Sequence, residues 1–178
     1  MLTLLKSRVQ PDAFQTLLNE RSGRWYNACL RITRDAEMAA DAVQEALLKA
    51  WDRRNDFRGD AALDSWIHRI ALNAAIDMTR RRKTRAEDEF EEEGYEAPPV
   101  SAPESEYSLE ALDRDLTAAL RRLSGMERQT FLLKHIEGWR LDEIAESLQM
   151  PLGSVKNALF RAVRKLRVDL QLWRGEND

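Results

Sequence analysis

Side chains that can contact nucleic acid are concentrated near the carboxyl end of the chain. A helical pattern over residues 154–168 places these on its outer side: Lys156, Asn157, Phe160, Arg161, Arg164 and Lys165. Lysine and arginine bind phosphates, whereas asparagine and arginine also hydrogen-bond base edges in the major groove. Phe160 is open to two interpretations, contact with a thymine methyl group or closure of the core. The spacing therefore predicts a helix face that binds DNA.

The elements before this face are those that would hold it in a major groove. Residues 141–149 predict a short helix, and the break after it contains Pro151, which fits only the first turn of a new helix. Ala145 is small at the point where the two helices must cross closely. This pattern predicts a helix-turn-helix whose second helix protrudes. The alternative is an ordinary amphipathic helix pair with a solvated basic face.

Residue types that support catalysis or metal binding are scarce. His68 and His135 are the only histidines, and neither stands in a zinc motif such as HExxH. The single cysteine, Cys29, excludes an internal disulfide, and its apolar neighbours favour a core position over a nucleophile. An enzyme is therefore the disfavoured class, and we expect no cofactor and no metal ion.

The composition predicts an all-helical protein with strongly separated charges. Glycine (7) and proline (5) are few among 178 residues, and no segment alternates polar and apolar residues as a strand would. The net charge of −3 conceals an excess of 5 positive charges over residues 1–85 and 10 acids without a base over residues 86–112. No segment predicts a signal peptide or a membrane span, so we expect a cytoplasmic protein without membrane insertion.

The acidic stretch separates two candidate domains, residues 10–85 and residues 113–174. Residues 86–112 contain three prolines besides the like charges and lack apolar periodicity, which predicts a flexible linker. Its simplest role is a tether. A second hypothesis is that it mimics the charge of nucleic acid inside a basic channel.

Apolar periodicity predicts several helices in the first candidate domain. One or two begin at Asp12 and another begins near Asp35. A further helix is predicted to begin with Ser65 as its N-cap and to end in the basic cluster of residues 80–83.

Four stretches carry a resemblance to a known family: DAVQEALLKAW (41–51), FRGDAALDSW (57–66), HRIALNAAIDMTRRRK (68–83) and EIAESLQMPLGSVKNALFRAVRKL (143–166). With these four stretches in this order, the chain resembles a group IV, or extracytoplasmic-function (ECF), sigma factor of bacterial RNA polymerase, in the sigma-70 family. The likeness implies two small helical domains, sigma domain two over 10–85 and a helix-turn-helix sigma domain four over 113–174. It also implies promoter-specific initiation of transcription.

The resemblance assigns two roles to the first domain. The polar contacts to core polymerase would be Asp41, Gln44 and Glu45, on the face opposite Val43, Leu47 and Trp51. The alternative is that these residues only form the solvated face of the helix. The residues that would bind the −10 element are Phe57, Arg58, Ser65, Arg69, Asn73, Arg80 and Arg81. Asn73 matches the family's pocket asparagine, whose amide can read an unstacked base, while the arginines would hold phosphates. Both Trp51 and Trp66 are predicted to be core anchors rather than stacking platforms.

The final helix resembles the family's −35 reader, with contacts from Lys156, Asn157, Phe160, Arg161 and Arg164. The implied partners are core RNA polymerase (the β′ clamp helices and the β flap), promoter DNA and an anti-sigma factor.

Four positions depart from the family pattern. Leu63 replaces an aromatic residue, and Asp64 stands where a basic or aromatic residue is common, so an acid there would repel phosphate. Arg140 and Pro151 stand where serine is common.

A self-sufficient helix-turn-helix regulator is the rival class, with the N-terminal block as a sensor or dimeriser. Such regulators usually bind palindromes as dimers, and the sequence shows no obvious heptad repeat or second helix-turn-helix. The motifs over residues 41–83 argue against this class.

Overall fold

The computed structural model describes residues 10–57, 61–88 and 119–175, and within these ranges every regular element is helical. The chain divides into two compact units, Met1–Ala97 and Pro98–Asp178. The predicted all-helical class is therefore confirmed. Arg58 and most of the acidic stretch lie outside the described residues.

The first unit consists of three helices that pack pairwise: α1 (Pro11–Thr33), α2 (Ala36–Asp52) and α3 (Leu63–Asp88). Its core includes Trp25, Ile32, Ile67 and Leu72, each almost completely buried. Cys29 is also fully buried and donates from Sγ to the Ala71 carbonyl oxygen at 3.5 Å. The predicted core position of this cysteine is thus confirmed.

The junction between α1 and α2 depends on two neighbouring residues. Arg34 adopts a left-handed conformation (φ 56°), and its N–H donates to the Leu30 carbonyl oxygen at 2.8 Å, which ends α1. Asp35 then caps α2, since its Oδ1 accepts from the Met38 N–H at 3.0 Å. Its Oδ2 accepts from Arg82 of α3 at 3.0 Å. The predicted helix start near Asp35 is confirmed, and its cap also contacts a third helix.

Helix α3 is longer at both ends than the sequence pattern indicates. It begins at Leu63, and the Trp66 N–H donates to the Ala62 carbonyl oxygen at 3.1 Å, so the prediction of Ser65 as N-cap is wrong. The helix continues to Asp88, five residues past the basic cluster and into the predicted linker. The residues from Lys83 to Asp88 include no glycine or proline, and most of them favour a helix.

The second unit begins, in the described residues, with a helical end at 119–121 and helix α4 (Gly125–Phe131), which continues into one π-helical turn (Leu132–Ile136). Gly138, at φ 73°, then leads to helix α5 (Leu141–Ser147) and helix α6 (Leu152–Gly175). The unit's core is formed by buried side chains from these elements: Leu132, Leu133, Trp139, Ile144, Val155, Ala158 and Ala162.

Two further observations concern membranes and metals. Among the described residues, no helix is both long and apolar enough to cross a membrane. The same part of the chain contains no group of three or more His, Cys, Asp or Glu side chains that could hold a metal ion.

Candidate nucleic-acid interface

The turn between α5 and α6 closes with a specific set of backbone hydrogen bonds. The Gln149 N–H donates to the Glu146 carbonyl oxygen at 3.1 Å, and the Met150 N–H donates to the Ala145 carbonyl oxygen at 2.9 Å. These two bonds form a Schellman motif, and Gln149 takes its left-handed position with φ 53°. Pro151 then precedes α6, and its carbonyl oxygen accepts from Ser154 at 2.9 Å. The local geometry is that of a helix-turn-helix.

Helix α6 has one buried side and one exposed side. Val155, Ala158 and Ala162 are completely buried against the rest of the unit. The predicted DNA contacts all lie on the exposed side: Lys156, Asn157, Phe160, Arg161 and Arg164. Phe160 is 68% exposed, which excludes the interpretation that it closes the core. An exposed phenylalanine beside cations can contact a base, for example a thymine methyl group, while the cations bind phosphates.

Arg161 and Lys165 each make an additional contact that the sequence pattern does not show. Arg161 Nε donates to Glu127 Oε1 at 3.3 Å, and Lys165 Nζ donates to Glu127 Oε2 at 2.7 Å. Glu127 belongs to α4 and also accepts from the N–H of Ser124, the N-cap of that helix, at 3.0 Å. The hydrogen bond from Lys165 is the main reason that the pKa of Glu127 is lowered, with smaller contributions from Ser124 and Arg161 against the opposing effect of burial.

The predicted −10 contacts lie on and beside α3. Ser65, Arg69 and Asn73 follow one another at four-residue intervals along the helix, and of these Asn73 is half-buried. Phe57 packs against Trp66 with ring centroids 5.4 Å apart. The two aromatic rings therefore support the N-terminal end of the face that carries these polar residues.

The basic end of α3 is less uniform than its sequence indicates. Arg80 is half-buried and its Nη2 donates to Asp77 Oδ1 at 2.8 Å, whereas Arg81 is exposed. Arg82 pairs with Asp35, the cap of α2. The cluster therefore divides between a structural contact and exposed cations that can reach phosphates.

Asp64 makes two contacts within the first unit that its position in the sequence does not predict. Its Oδ1 accepts from Trp25 Nε1 at 2.8 Å, and its Oδ2 accepts from Arg24 Nη1 at 2.7 Å. Because Arg24 balances its charge, this carboxylate is not an isolated acid that faces DNA. It attaches the first turn of α3 to the buried indole of α1.

Helix α2 presents a mixed polar and apolar stripe. Asp41 and Gln44 are exposed, and Glu45 is half-buried and pairs with Lys49. Leu48 lies on the same face, one helical turn after Gln44, and is 68% exposed. Leu48 was not among the predicted contacts, although its spacing of four and seven residues from Gln44 and Asp41 places it on their face.

Trp51, at the edge of this stripe, differs from its prediction as a core anchor. It is 37% exposed, makes a T-shaped contact with the Phe14 ring (centroids 5.4 Å apart) and has the Arg54 guanidinium 4.3 Å from its ring centroid. The prediction of a core position is wrong, because Trp51 lies at the end of α2 and remains 37% exposed.

Comparisons with known proteins identify the class of these two units. Residues 17–85 match the family described as sigma-70 region 2, and residues 113–166 match sigma-70 region 4. A chain with both regions is a sigma factor of the sigma-70 family.

Individual relatives narrow the assignment. The sequence is 35% identical over 160 residues to the ECF RNA polymerase sigma factor SigL of Mycobacterium tuberculosis, covering 88% of each chain. It is 30% identical over 167 residues to the RNA polymerase sigma-H factor of Pseudomonas aeruginosa (89% of this chain, 86% of that protein). It is 32% identical over 130 residues to the ECF sigma-E factor of Escherichia coli (68% of each). The chain belongs to the extracytoplasmic-function sigma factors, which are not enzymes.

Two solved structures share the fold. The first is the sigma factor RpoE of Bartonella quintana in complex with the anti-sigma factor NepR, with a TM-score of 0.60, 22% identity and coverage of 89% of this chain and 96% of that one. The second is CnrH in complex with the cytosolic domain of CnrY, with a TM-score of 0.52, 24% identity and coverage of 92% and 90%.

Proposed function

We propose that this sigma factor divides promoter recognition between its two units. Residues 10–85 bind core RNA polymerase and open the −10 element, residues 113–174 bind the −35 duplex, and residues 86–112 join them. The observation that carries the proposal is the two-sided α6, in which buried Val155, Ala158 and Ala162 oppose an exposed row of cations, asparagine and phenylalanine. Joining two modest readers in one chain raises their combined affinity through effective concentration.

The polymerase contact is assigned to the exposed stripe of α2. Asp41, Gln44 and Glu45 supply polar groups, and Leu48 supplies apolar area on the next turn of the same face. An apolar residue beside polar groups is a usual combination in an interface. We assign this stripe to the β′ clamp helices, and the second unit to the β flap.

The −10 contact is assigned to α3 and the loop before it. Asn73 is half-buried, which suits an amide at the base of a pocket for one unstacked nucleotide. Ser65, Arg69 and Arg81 are exposed around it, while Phe57, Arg58 and Arg80 complete the proposed set. The α6 set is Lys156, Asn157, Phe160, Arg161 and Arg164.

An anti-sigma factor is the further proposed partner. The relatives RpoE and CnrH are each described in complex with a partner, the anti-sigma factor NepR and the cytosolic domain of CnrY. A similar partner for this chain would cover the exposed Leu48 of the α2 stripe in competition with polymerase. Both interactions would take place in the cytoplasm, where the polymerase acts.

The proposal is tested by run-off transcription with core polymerase on a library of genomic fragments. Asn73→Ala should lower initiation on the selected duplex promoters about tenfold, because a base-reading amide contributes on the order of 1–3 kcal/mol. It should leave core binding intact and affect a pre-melted template less. Asn27→Ala, the same change at an exposed position of α1, is the matched control and should have no effect.

Two results would contradict the proposal. Equal transcription by Asn73→Ala and the control on both templates would remove the pocket assignment. A footprint by the chain alone as strong as that of the holoenzyme would instead favour a self-sufficient regulator.

A further inference from the structure

Glu127 is a buried carboxylate directly behind the exposed face of α6. Its side chain is only 4% exposed, yet it meets two cations of that helix, Lys165 at 2.7 Å and Arg161 at 3.3 Å. The two cations remain about half exposed, with side-chain exposures of 48% for Lys165 and 58% for Arg161. One carboxylate therefore joins α4 to the outer side of the proposed DNA-reading helix.

The charge balance of this cluster affects how α6 meets DNA. Arg161 and Lys165 give this part of α6 two positive charges. Glu127 balances one of them, so the cluster has a net charge of +1. A buried carboxylate is strongly destabilising when it loses its partners, so each cation is held in place by the cost of leaving Glu127 uncompensated. Lys165 makes the shorter contact, and its Nζ is the whole of its charged group.

Arg161 is held differently from Lys165. Its bond to Glu127 uses Nε, the inner nitrogen of the guanidinium, so the plane of the group is set while much of the side chain stays exposed. A guanidinium with a fixed plane is suited to bidentate contact with a guanine edge, which depends on geometry more than on charge.

We propose that Glu127 is a positioning residue for −35 recognition, which orients Arg161 toward base edges and withholds Lys165 from DNA phosphates. This inference rests on the proposed function of α6. Glu127 would then set how much of the DNA binding by α6 depends on base sequence and how much on charge, without contacting DNA itself. The two cations, although both positively charged, have different roles.

The variant Glu127→Gln separates positioning from folding of α4. Glutamine can still accept from the Ser124 N–H and so keep the helix start, but it cannot balance Lys165 and Arg161. Lys165 is then released toward the phosphates. We expect the salt dependence of duplex binding to steepen by about one unit of log–log slope, since each neutralised phosphate contributes about 0.9.

The measurement uses the full chain and a labelled random-sequence duplex of about 30 base pairs, with anisotropy followed over roughly 50–200 mM NaCl. Lys165→Gln should leave the slope unchanged in the wild-type background and lower it by about one in the Glu127→Gln background. Lys156→Gln is the matched control on the exposed side of α6, and it should lower the slope by about one in both backgrounds.

A second readout is selection of −35 sequences by holoenzyme from duplexes randomised in that region. Glu127→Gln should lower the enrichment of the preferred sequence about fivefold or more, because Arg161 loses its fixed orientation. Lys156→Gln should weaken binding to all sequences alike and preserve the preference.

The outcomes distinguish the inference from the function on which it rests. If Lys165→Gln alone lowers the slope as much as Lys156→Gln, or if Glu127→Gln leaves the enrichment unchanged, the inference is overturned and DNA binding by α6 stands. If Lys156→Gln changes neither affinity nor slope, α6 does not bind DNA and both fail. If Glu127→Gln does not fold, the inference is tested by the slopes of Lys165→Gln and Lys156→Gln in the wild-type background. Lys165→Gln keeps Glu127 paired with Arg161 and Ser124.

Discussion

Replacement of Asp64 by alanine removes two contacts that attach the start of α3 to α1. The indole Nε1–H of Trp25, on a completely buried ring, loses the carboxylate oxygen that accepts its hydrogen bond at 2.8 Å. A hydrogen bond to a charged group contributes about 1.5–3 kcal/mol when the buried donor is left unsatisfied. The ion pair with Arg24, whose side chain is 55% exposed, adds less than about 1 kcal/mol. We expect Asp64→Ala to lower the free energy of unfolding of the first unit by about 2–3 kcal/mol.

Two further variants separate the contributions. Asp64→Asn keeps an oxygen for the Trp25 indole but loses the charge, and should cost about half as much as alanine. Arg24→Gln removes only the exposed ion pair and should cost less than about 1 kcal/mol. The expected order of destabilisation is therefore Asp64→Ala, then Asp64→Asn, then Arg24→Gln.

The assay is a urea titration of the full chain, followed by the indole N–H resonance of Trp25 in nuclear magnetic resonance spectra. This resonance reports the first unit separately from the second, and its position in the folded state responds to loss of the acceptor. A cost below about 0.5 kcal/mol for Asp64→Ala would refute the reasoning, since that is the range of neutral surface changes. An equal cost for Arg24→Gln would show that the ion pair, and not the buried indole, is the important contact.

Two other predictions concern exposed positions. Leu48→Ala should weaken binding to core polymerase about tenfold without changing the thermal unfolding of the chain, because burial of a leucine on docking contributes about 1.5–3 kcal/mol and Leu48 is 68% exposed in the free protein. A competition assay against a labelled wild-type chain measures this, and unchanged competition would exclude Leu48 from the interface. Gln149→Gly should stabilise the second unit by about 0.5–1 kcal/mol in urea unfolding, because glycine adopts the left-handed conformation at φ 53° without strain. Gln149→Ala is its control, and an equal gain there would contradict the conformational explanation.

Local signals in the sequence were sufficient for much of the architecture. Asp35 has the residue type and position of an N-cap, and the structure shows it capping α2. The apolar spacing of Val155, Ala162 and Leu166 predicts the buried side of α6. These predictions succeed because capping and amphipathic periodicity involve residues within a few positions of one another.

Contacts between distant residues could not be predicted in this way. Asp64 is 39 and 40 positions from Trp25 and Arg24, and Glu127 is 34 and 38 positions from Arg161 and Lys165. A periodicity argument assigns each of these charges to solvent or to DNA, because it has no information about which helices pack together. The charged residues whose contacts were not predicted are therefore those whose partners lie on another helix.

The carboxylate of Asp35 contacts two surfaces of the first unit, the start of α2 and the basic cluster of α3. One oxygen caps α2, which carries the proposed polymerase stripe, and the other binds Arg82 in the basic cluster of α3. An attraction of Arg82 toward a DNA phosphate would compete with this bond and alter the support of α2's first turn. Loss of Asp35 would in turn leave Arg82 with one fewer partner and more available to phosphate. Substitutions at either position should therefore appear in genetic screens as combined defects in core binding and promoter opening, and the two surfaces cannot evolve entirely independently.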